Sequence, residues 1–342
     1  VYLGDQANMP YGNYDSVGKD GYLRELILKD ATFLLGRRRF QRSETEPRLN
    51  KPPVKAIVIA CNTATAAGLE DIQQLLHEYQ IAIPVIGVVA AGSRGVLQVT
   101  GSDREPATVA VLATVGTCST GAYPRWIGRT HGLAGRRVPQ VVQFGSARMA
   151  GVIEGSPGFT ESIADRTAMD VKSLVEQYRE NTDLQPQPIR TVVLGCTHFP
   201  LAQAEINDAF QQLRTTVDAE GKKPYASLIA AELTFVDPAE WTARELFHAL
   251  AQGRLRNPES GATGNDMFFL SVPNPASPGI ELDDSGGLTS DYKYGREAGH
   301  WDLEDTRNEP LDPHALPPAT LRLIQDKLPA VWQRLQQASA AP

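Results

Sequence analysis

AIVIACNTATA (56–66) and TVVLGCTHFPL (191–201) decide the fold. Each runs from a β-branched apolar stretch through one small residue to a cysteine, then into polar residues and the start of a helix. Short, continuously apolar runs bounded by polar or Gly residues are the pattern of strands buried on both faces of a parallel sheet. Outward from these two, similar runs recur at IPVIGVV (83–89), TVAVLA (108–113), QVVQF (140–144), LTFVD (233–237) and MFFLS (267–271). Helical stripes lie between them. Leu69, Ile72, Leu75 and Leu76 share one face over 65–79, and 163–178 and 241–250 read alike. The alternation predicts an α/β fold of doubly wound parallel sheets.

Composition sets the outer bounds. The chain has 342 residues, 42% of them apolar and 21% charged, so it can bury a sizeable core without disulfides and is not globally disordered. Forty acidic against 33 basic residues give a net charge of −7, which disfavours nucleic acid or an anionic membrane as partner. No apolar run reaches the roughly 20 residues of a membrane span, and no secretion signal is visible. Three cysteines cannot all pair; with the other signals they point to a reducing, cytoplasmic setting.

Several segments interrupt the alternation. The polar stretch 36–53 carries Arg37, Arg38 and Arg39; without aromatic or Gly-rich company these read as a solvated loop rather than a phosphate site. A second polar interruption covers 253–265. From 273 to 318 the chain is rich in Pro, Gly, Asp and Ser and reads as an irregular extension. A final amphipathic helix is expected at about 319–337, kinked at Pro329, either docked on the core or forming a subunit contact in a homodimer.

Chemistry gathers at the two cysteine motifs. Cys61 and Cys196 lie 135 residues apart in matched contexts, which suggests one copy in each of two similar halves. Strand carboxyl ends face the ligand crevice of open α/β sheets, so both thiols are expected at its mouth. Asn62 and Thr63 are candidate caps of the first helix, and Pro200 suits the first turn of the second. A thiol beside a helix N-terminus is expected to titrate below the usual value of about 8.5. Two such thiols fit two-base proton transfer at carbon, in which one group removes a proton from one face and another returns it to the opposite face. Either cysteine alone reads better as a small buried residue; the matched pair favours function. A zinc site from Cys61, Cys196 and His198 is weak, with no CxxC and no evident fourth ligand.

On these residues the chain resembles the glutamate racemases of the cofactor-independent aspartate/glutamate racemase superfamily. VYLGDQANMPYG (1–12) resembles the family's second strand and Pro-Tyr-Gly turn. ACNTATA and GCTHFPL resemble its two catalytic motifs, TVAVLATVGTCSTGAY (108–123) its third block, and VDPAEWTAREL (236–246) a late strand–helix element. The likeness runs discontinuously from residue 1 to about 250. His198, where aspartate racemases usually carry Glu, favours glutamate.

The resemblance implies two similar domains with the active site in the cleft between them. The boundaries read as 1–90 with 205–272 for the first domain, 91–204 for the second, and 273–342 for the extension. It also implies conversion of L-glutamate to D-glutamate for peptidoglycan, without a cofactor. Carried over, Cys61 serves the D-glutamate side and Cys196 the L-glutamate side, with His198 and Glu154 assisting Cys196. Tyr11, Gly12, Asn62, Thr63, Thr197 and His198 would bind substrate, with Thr117 and Thr120 as further hydroxyl contacts or, alternatively, helix caps. Cys118 matches no catalytic position and reads as structural.

Family members begin with a strand and an Asp-Ser-Gly segment whose Asp supports the first cysteine; these residues open inside the next strand, without an initiator Met. A truncated sequence is the expected cause; were the loss natural instead, the sheet would lack a strand and Cys61 its supporting carboxylate. Other readings keep the fold: a racemase or decarboxylase of aspartate, hydantoin or malonate type, or a racemase-like binding protein.

Overall fold

Nine strands alternate with helices along the chain in a computed structural model that describes all residues except 43, 45, 101–106, 182, 256–265, 314–315 and 340–342. In chain order the strands are β1 (Tyr2–Gly4), β2 (Ile57–Ile59), β3 (Val85–Gly87), β4 (Thr108–Thr114) and β5 (Gln140–Ser146). They continue with β6 (Ile189–Gly195), β7 (Ile229–Val236), β8 (Phe268–Pro273) and β9 (Thr306–Pro310). Every apolar run singled out in the sequence contains a strand. The chain divides into two compact units: 1–57 with 67–85 and 249–342, and 58–66 with 86–248. Most of the interruption expected at 253–265 lies outside the described residues.

The second unit is built on a four-stranded parallel sheet in the order β5, β4, β6, β7. Its central strands are continuously apolar over 109–113 and 192–194 because both faces are covered. Ala110 and Leu112 of β4, with Val192 and Leu194 of β6, join Val171, Leu174, Ile206 and Phe210 in one core. The intervening Val109, Val111, Ala113 and Val193 join Val88, Val89, Val96 and Ile127 in another. This two-residue alternation between cores defines a doubly wound sheet. Helices Ile163–Glu180 and Gln203–Thr215 supply the first face; Val88–Val99 and Ala122–Leu133 supply the second. At about 1.5–3 kcal/mol for each fully buried Val, Leu or Ile, these two layers are the unit's main source of stability.

In the first unit β8 lies between β1, parallel to it, and β9, antiparallel to it. Helix Asp20–Leu35 buries Tyr22, Leu23, Leu26 and Ile27. Short strands β2 and β3 pair in a separate two-stranded sheet.

Several local expectations change. The run 83–89 stops being a strand at Gly87, because Val88 and Val89 already belong to a buried helix. Residues 205–248 fall in the second unit, since β7 hydrogen-bonds along β6, with Val192 opposite Phe235 and Val193 opposite Val236. The stretch after 273 is not wholly irregular: Thr306–Pro310 pairs with β8, and Ser290–Gly295 forms a short helix capped by Thr289. Instead of one kinked helix, the C-terminal end holds two, Pro318–Lys327 and Pro329–Ser339. Pro329 has no N–H to continue the first, and Leu328 before it leaves the helical region at φ −130°, ψ 53°. The arginine run keeps the solvated character expected of it: Arg37 and Arg38 are exposed, Arg38 pairing at the surface with both oxygens of Glu304, and Arg39 donates to Asn50.

Candidate active site

Cys61 and Cys196 both belong to the second unit. Cys61 follows β2 and itself caps helix Asn62–Glu78: its Sγ accepts from the Ala64 amide at 3.5 Å, and its carbonyl accepts from the Thr65 amide at 2.9 Å. Cys196 follows β6 and precedes a single 3-10 turn, Phe199–Ala202, with Pro200 in its first residues. Gly195, just before it, is fixed by packing. A Cβ there would stand 2.9 Å from the Leu112 carbonyl and 3.0 Å from the Tyr123 ring, so no larger residue fits without displacing β4 or Tyr123.

The helix-start amides do favour the thiolates, as expected, but burial outweighs them. Desolvation raises the Cys61 pKa against donations from Ala64 and Thr63, and pushes Cys196 up to about 12 against donations from Thr197 and His198. The expectation of lowered thiol pKa values is therefore overturned in sign. Charge on Cys61 adds a smaller upward push on Cys196.

Around the thiols stands a set of short polar side chains. Asn62 is buried, and its Oδ1 accepts from the Tyr123 hydroxyl at 2.6 Å instead of capping the helix. Thr63 meets Thr117, hydroxyl to hydroxyl, at 3.2 Å, and Thr117 meets Thr114 at 3.0 Å. Thr120 donates to the Thr117 carbonyl at 2.7 Å and accepts from the Ala122 amide at 3.2 Å, so its hydroxyl closes a local turn. His198 Nδ1 lies 3.8 Å from Cys196 Sγ. Burial lowers the His198 pKa, while the Glu154 carboxylate pulls the other way. Glu154 ends helix Met149–Glu154 and accepts from the Ser156 hydroxyl at 3.1 Å.

The second unit thus brings together Cys61, Asn62, Thr63, Thr117, Cys196, His198 and Glu154. Tyr11 and Gly12 belong to the first unit, where the buried Tyr11 hydroxyl bonds Asp5 and lies 3.0 Å from Asp30. Cys118 is half-buried with its thiol pKa pushed up to about 12 by burial, consistent with a packing role. Sequence reasoning missed Tyr123. It is buried, feels the charges of Cys196, Asp237 and Cys118, and has a pKa held far above the ordinary phenol value, so it stays a donor. Its only sequence signal is its place in the Gly-Ala-Tyr run (121–123) after β4.

Fold and site define an α/β protein whose two strand-end cysteines share one compact parallel-sheet unit. Residues 42–220, more than half of the chain, match the Asp/Glu/Hydantoin racemase family, and the chain belongs to that family of isomerases. Among its relatives, the glutamate racemase of Latilactobacillus sakei is 36% identical over 211 residues, covering 61% of each protein. The glutamate racemase of Levilactobacillus brevis is 30% identical over 271 residues, 79% of this chain and 76% of the relative. A crystal structure of glutamate racemase isoform RacE1 from Bacillus anthracis shares the fold, with a TM-score of 0.51 at 26% identity over 74% of this chain and 71% of that one. No helix among the described residues is long and apolar enough to cross a membrane.

Proposed function

We propose that this chain interconverts L- and D-glutamate by two-base proton transfer between Cys61 and Cys196, without a cofactor. One sulfur, as thiolate, takes the α-proton; the resulting carbanion is delocalised into the substrate carboxyl group; the other sulfur, as thiol, delivers a proton to the opposite face. The supporting observation is that Cys61 and Cys196 each follow a strand and lie in the same compact unit, with His198 Nδ1 3.8 Å from the Cys196 sulfur. Burial raises both thiol pKa values, so each is protonated at rest and can serve as the proton donor of its half-reaction.

In this reading Cys61 acts on D-glutamate and Cys196 on L-glutamate. Burial disfavours the imidazolium, so His198 stays neutral with its Nδ1 3.8 Å from the Cys196 sulfur, and the Glu154 carboxylate offsets that burial and favours the imidazole's assistance in proton transfer. Asn62, Thr63, Thr117 and Thr197 bind the substrate's polar groups, as do the Tyr11 and Gly12 amides. Thr120 is the weaker contact, since its hydroxyl is already engaged. The names of the relatives favour glutamate among small acidic substrates. The same reading makes the chain a cytoplasmic supplier of D-glutamate for peptidoglycan, with a homodimer as its candidate assembly.

The test is incubation with each glutamate enantiomer in D2O, following optical rotation and loss of the α-proton signal. Inversion with deuterium uptake from both enantiomers is expected, lost in Cys61→Ala and in Cys196→Ala. Because both thiol pKa values are raised, the rate should climb with pH between about pH 6 and pH 9. Inversion that survives both substitutions would refute the two-cysteine mechanism, and absence of exchange from either enantiomer would refute the activity.

A further inference from the structure

The turn holding Pro10, Tyr11 and Gly12 is poorly held by its own backbone. Its local bonds are long, 3.4 Å from the Asn13 amide to the Pro10 carbonyl and 3.3 Å from the Tyr14 amide to the Tyr11 carbonyl. The helix that follows, Gly12–Ser16, has five residues and no side-chain cap, well short of what is stable alone. What holds the turn comes from almost 300 residues further along the chain, within the same unit.

Arg296 is the centre of that support. Its side chain is 5% exposed and its ion-pair partner Asp305 is 3% exposed. Nη1 donates to Asp305 at 2.7 Å, Nε to the Lys293 carbonyl at 3.2 Å, and Nη2 to Asn8 Oδ1 at 2.6 Å. Its guanidinium also covers the Tyr22 ring at 4.7 Å. Asn8 carries the connection onward, donating through Nδ2 to Asp5 at 2.7 Å, and Asp5 accepts from the Tyr11 hydroxyl. Two neighbours of Arg296 grip the turn from outside. Lys293 donates to the Met9 carbonyl at 2.8 Å, and Tyr294 donates to the Pro10 carbonyl at 3.4 Å while accepting from Asn13 at 3.1 Å.

We propose that residues 293–305 form a clamp that sets the geometry of the Tyr11 turn, with Arg296 as its positioning residue. The consequence for catalysis rests on the reading above that Tyr11 and Gly12 contact substrate. A planar guanidinium serves Asp305, Asn8 and the Lys293 carbonyl from fixed directions; an ammonium in its place keeps the charge but not the fork. Contacts made by a turn away from the reacting carbon are the same in ground and transition states, so loosening it weakens binding rather than chemistry.

The experiment compares Arg296→Gln, Arg296→Lys and Lys293→Met with the full wild-type chain, reading kcat and KM for glutamate inversion and amide hydrogen exchange. Arg296→Gln should raise KM about tenfold with kcat changed less than about threefold, and Arg296→Lys should recover part of that loss. Exchange at the amides of residues 11–14 should accelerate about tenfold, with β4 and β6 unchanged. Lys293→Met removes one exposed contact and no buried charge, so it folds even where Arg296→Gln does not. It should raise KM and turn exchange about two- to threefold. Unchanged exchange over 11–14 in these variants, or a fall in kcat at constant KM, would overturn the clamp. A wild-type chain that fails to invert glutamate removes the catalytic reading alone, and the exchange comparison still decides whether Arg296 holds the turn.

Discussion

Removing one oxygen, in Tyr123→Phe, tests whether the site's polar lining is also part of its framework. The Tyr123 hydroxyl donates to Asn62 Oδ1 at 2.6 Å, and both residues are buried. The phenylalanine ring refills the space of the phenol ring, so the cavity left behind is no larger than the lost oxygen. What changes is that a buried amide oxygen loses its donor, which costs about 1–3 kcal/mol. The phenol's pKa is raised far above its ordinary value, chiefly by burial, so the donor persists across the whole neutral and mildly alkaline range. The destabilisation should therefore be the same at pH 6 and pH 9. Native-state hydrogen exchange at the amides of β4 and β6 measures the stability of this unit separately from the other. A companion Asn62→Ala and the double variant complete a cycle whose coupling term should be about 1 kcal/mol or more, as expected for groups in direct contact. A coupling near zero, or a loss confined to alkaline pH, would refute the assignment of this bond as a structural link between the residue after Cys61 and the helix at 122–133.

Two further outcomes follow from the packing and from the first unit's buried acids. Gly195→Ala places a methyl 2.9 Å from the Leu112 carbonyl and 3.0 Å from the Tyr123 ring, and should cost about 1–3 kcal/mol by the same exchange measurement while displacing Cys196; a neutral effect would contradict the packing. Asp30 is pushed well above the ordinary carboxylate range, first by burial and then by the charge of Asp5. A raised acid binds its proton more tightly when folded, so its stabilising share is full below about pH 3.9 and is lost as pH rises through the folded value. Asp30→Asn removes that loss, so its stability relative to wild type should improve from pH 5 to pH 8. A constant difference between the two proteins would rule the shift out.

The strands were legible because a parallel sheet buried on both faces must be apolar at consecutive positions. Val109 to Ala113 has no polar option on either side, since its alternate residues feed two different cores. The cysteines were legible for a related reason: each breaks such a run at the strand's end, where the chain turns into a helix. Partners of low apolar content were not legible. Thr306–Pro310 is polar up to its closing proline and becomes a strand only because β8 offers an open edge, a long-range fact no local pattern carries. The same applies to β7, whose sequence marks it as a strand but not as a neighbour of β6. The cap of helix Asn62–Glu78 was misassigned because Asn and Thr are better caps than Cys in general, whereas here Tyr123 holds the Asn62 oxygen and leaves the role to the Cys61 sulfur.

The sign of the thiol shifts bears most on how such a site works. A helix start contributes a few directed N–H donors, and both sulfurs receive them; burial removes water from every side and wins. With its pKa pushed up to about 12 by burial, Cys196 is overwhelmingly protonated near neutral pH. The same shift makes each thiolate a stronger base, and an α-proton beside an ionised carboxylate demands one. Under the proposed reaction the two effects oppose each other, and the outcome turns on how easily the proton leaves sulfur. Here the two cysteines differ: Cys196 is the more buried, and it has a neutral imidazole 3.8 Å away with a carboxylate behind it. Under the proposed reaction, His198 and Glu154 would therefore assist at the more buried of the two cysteines.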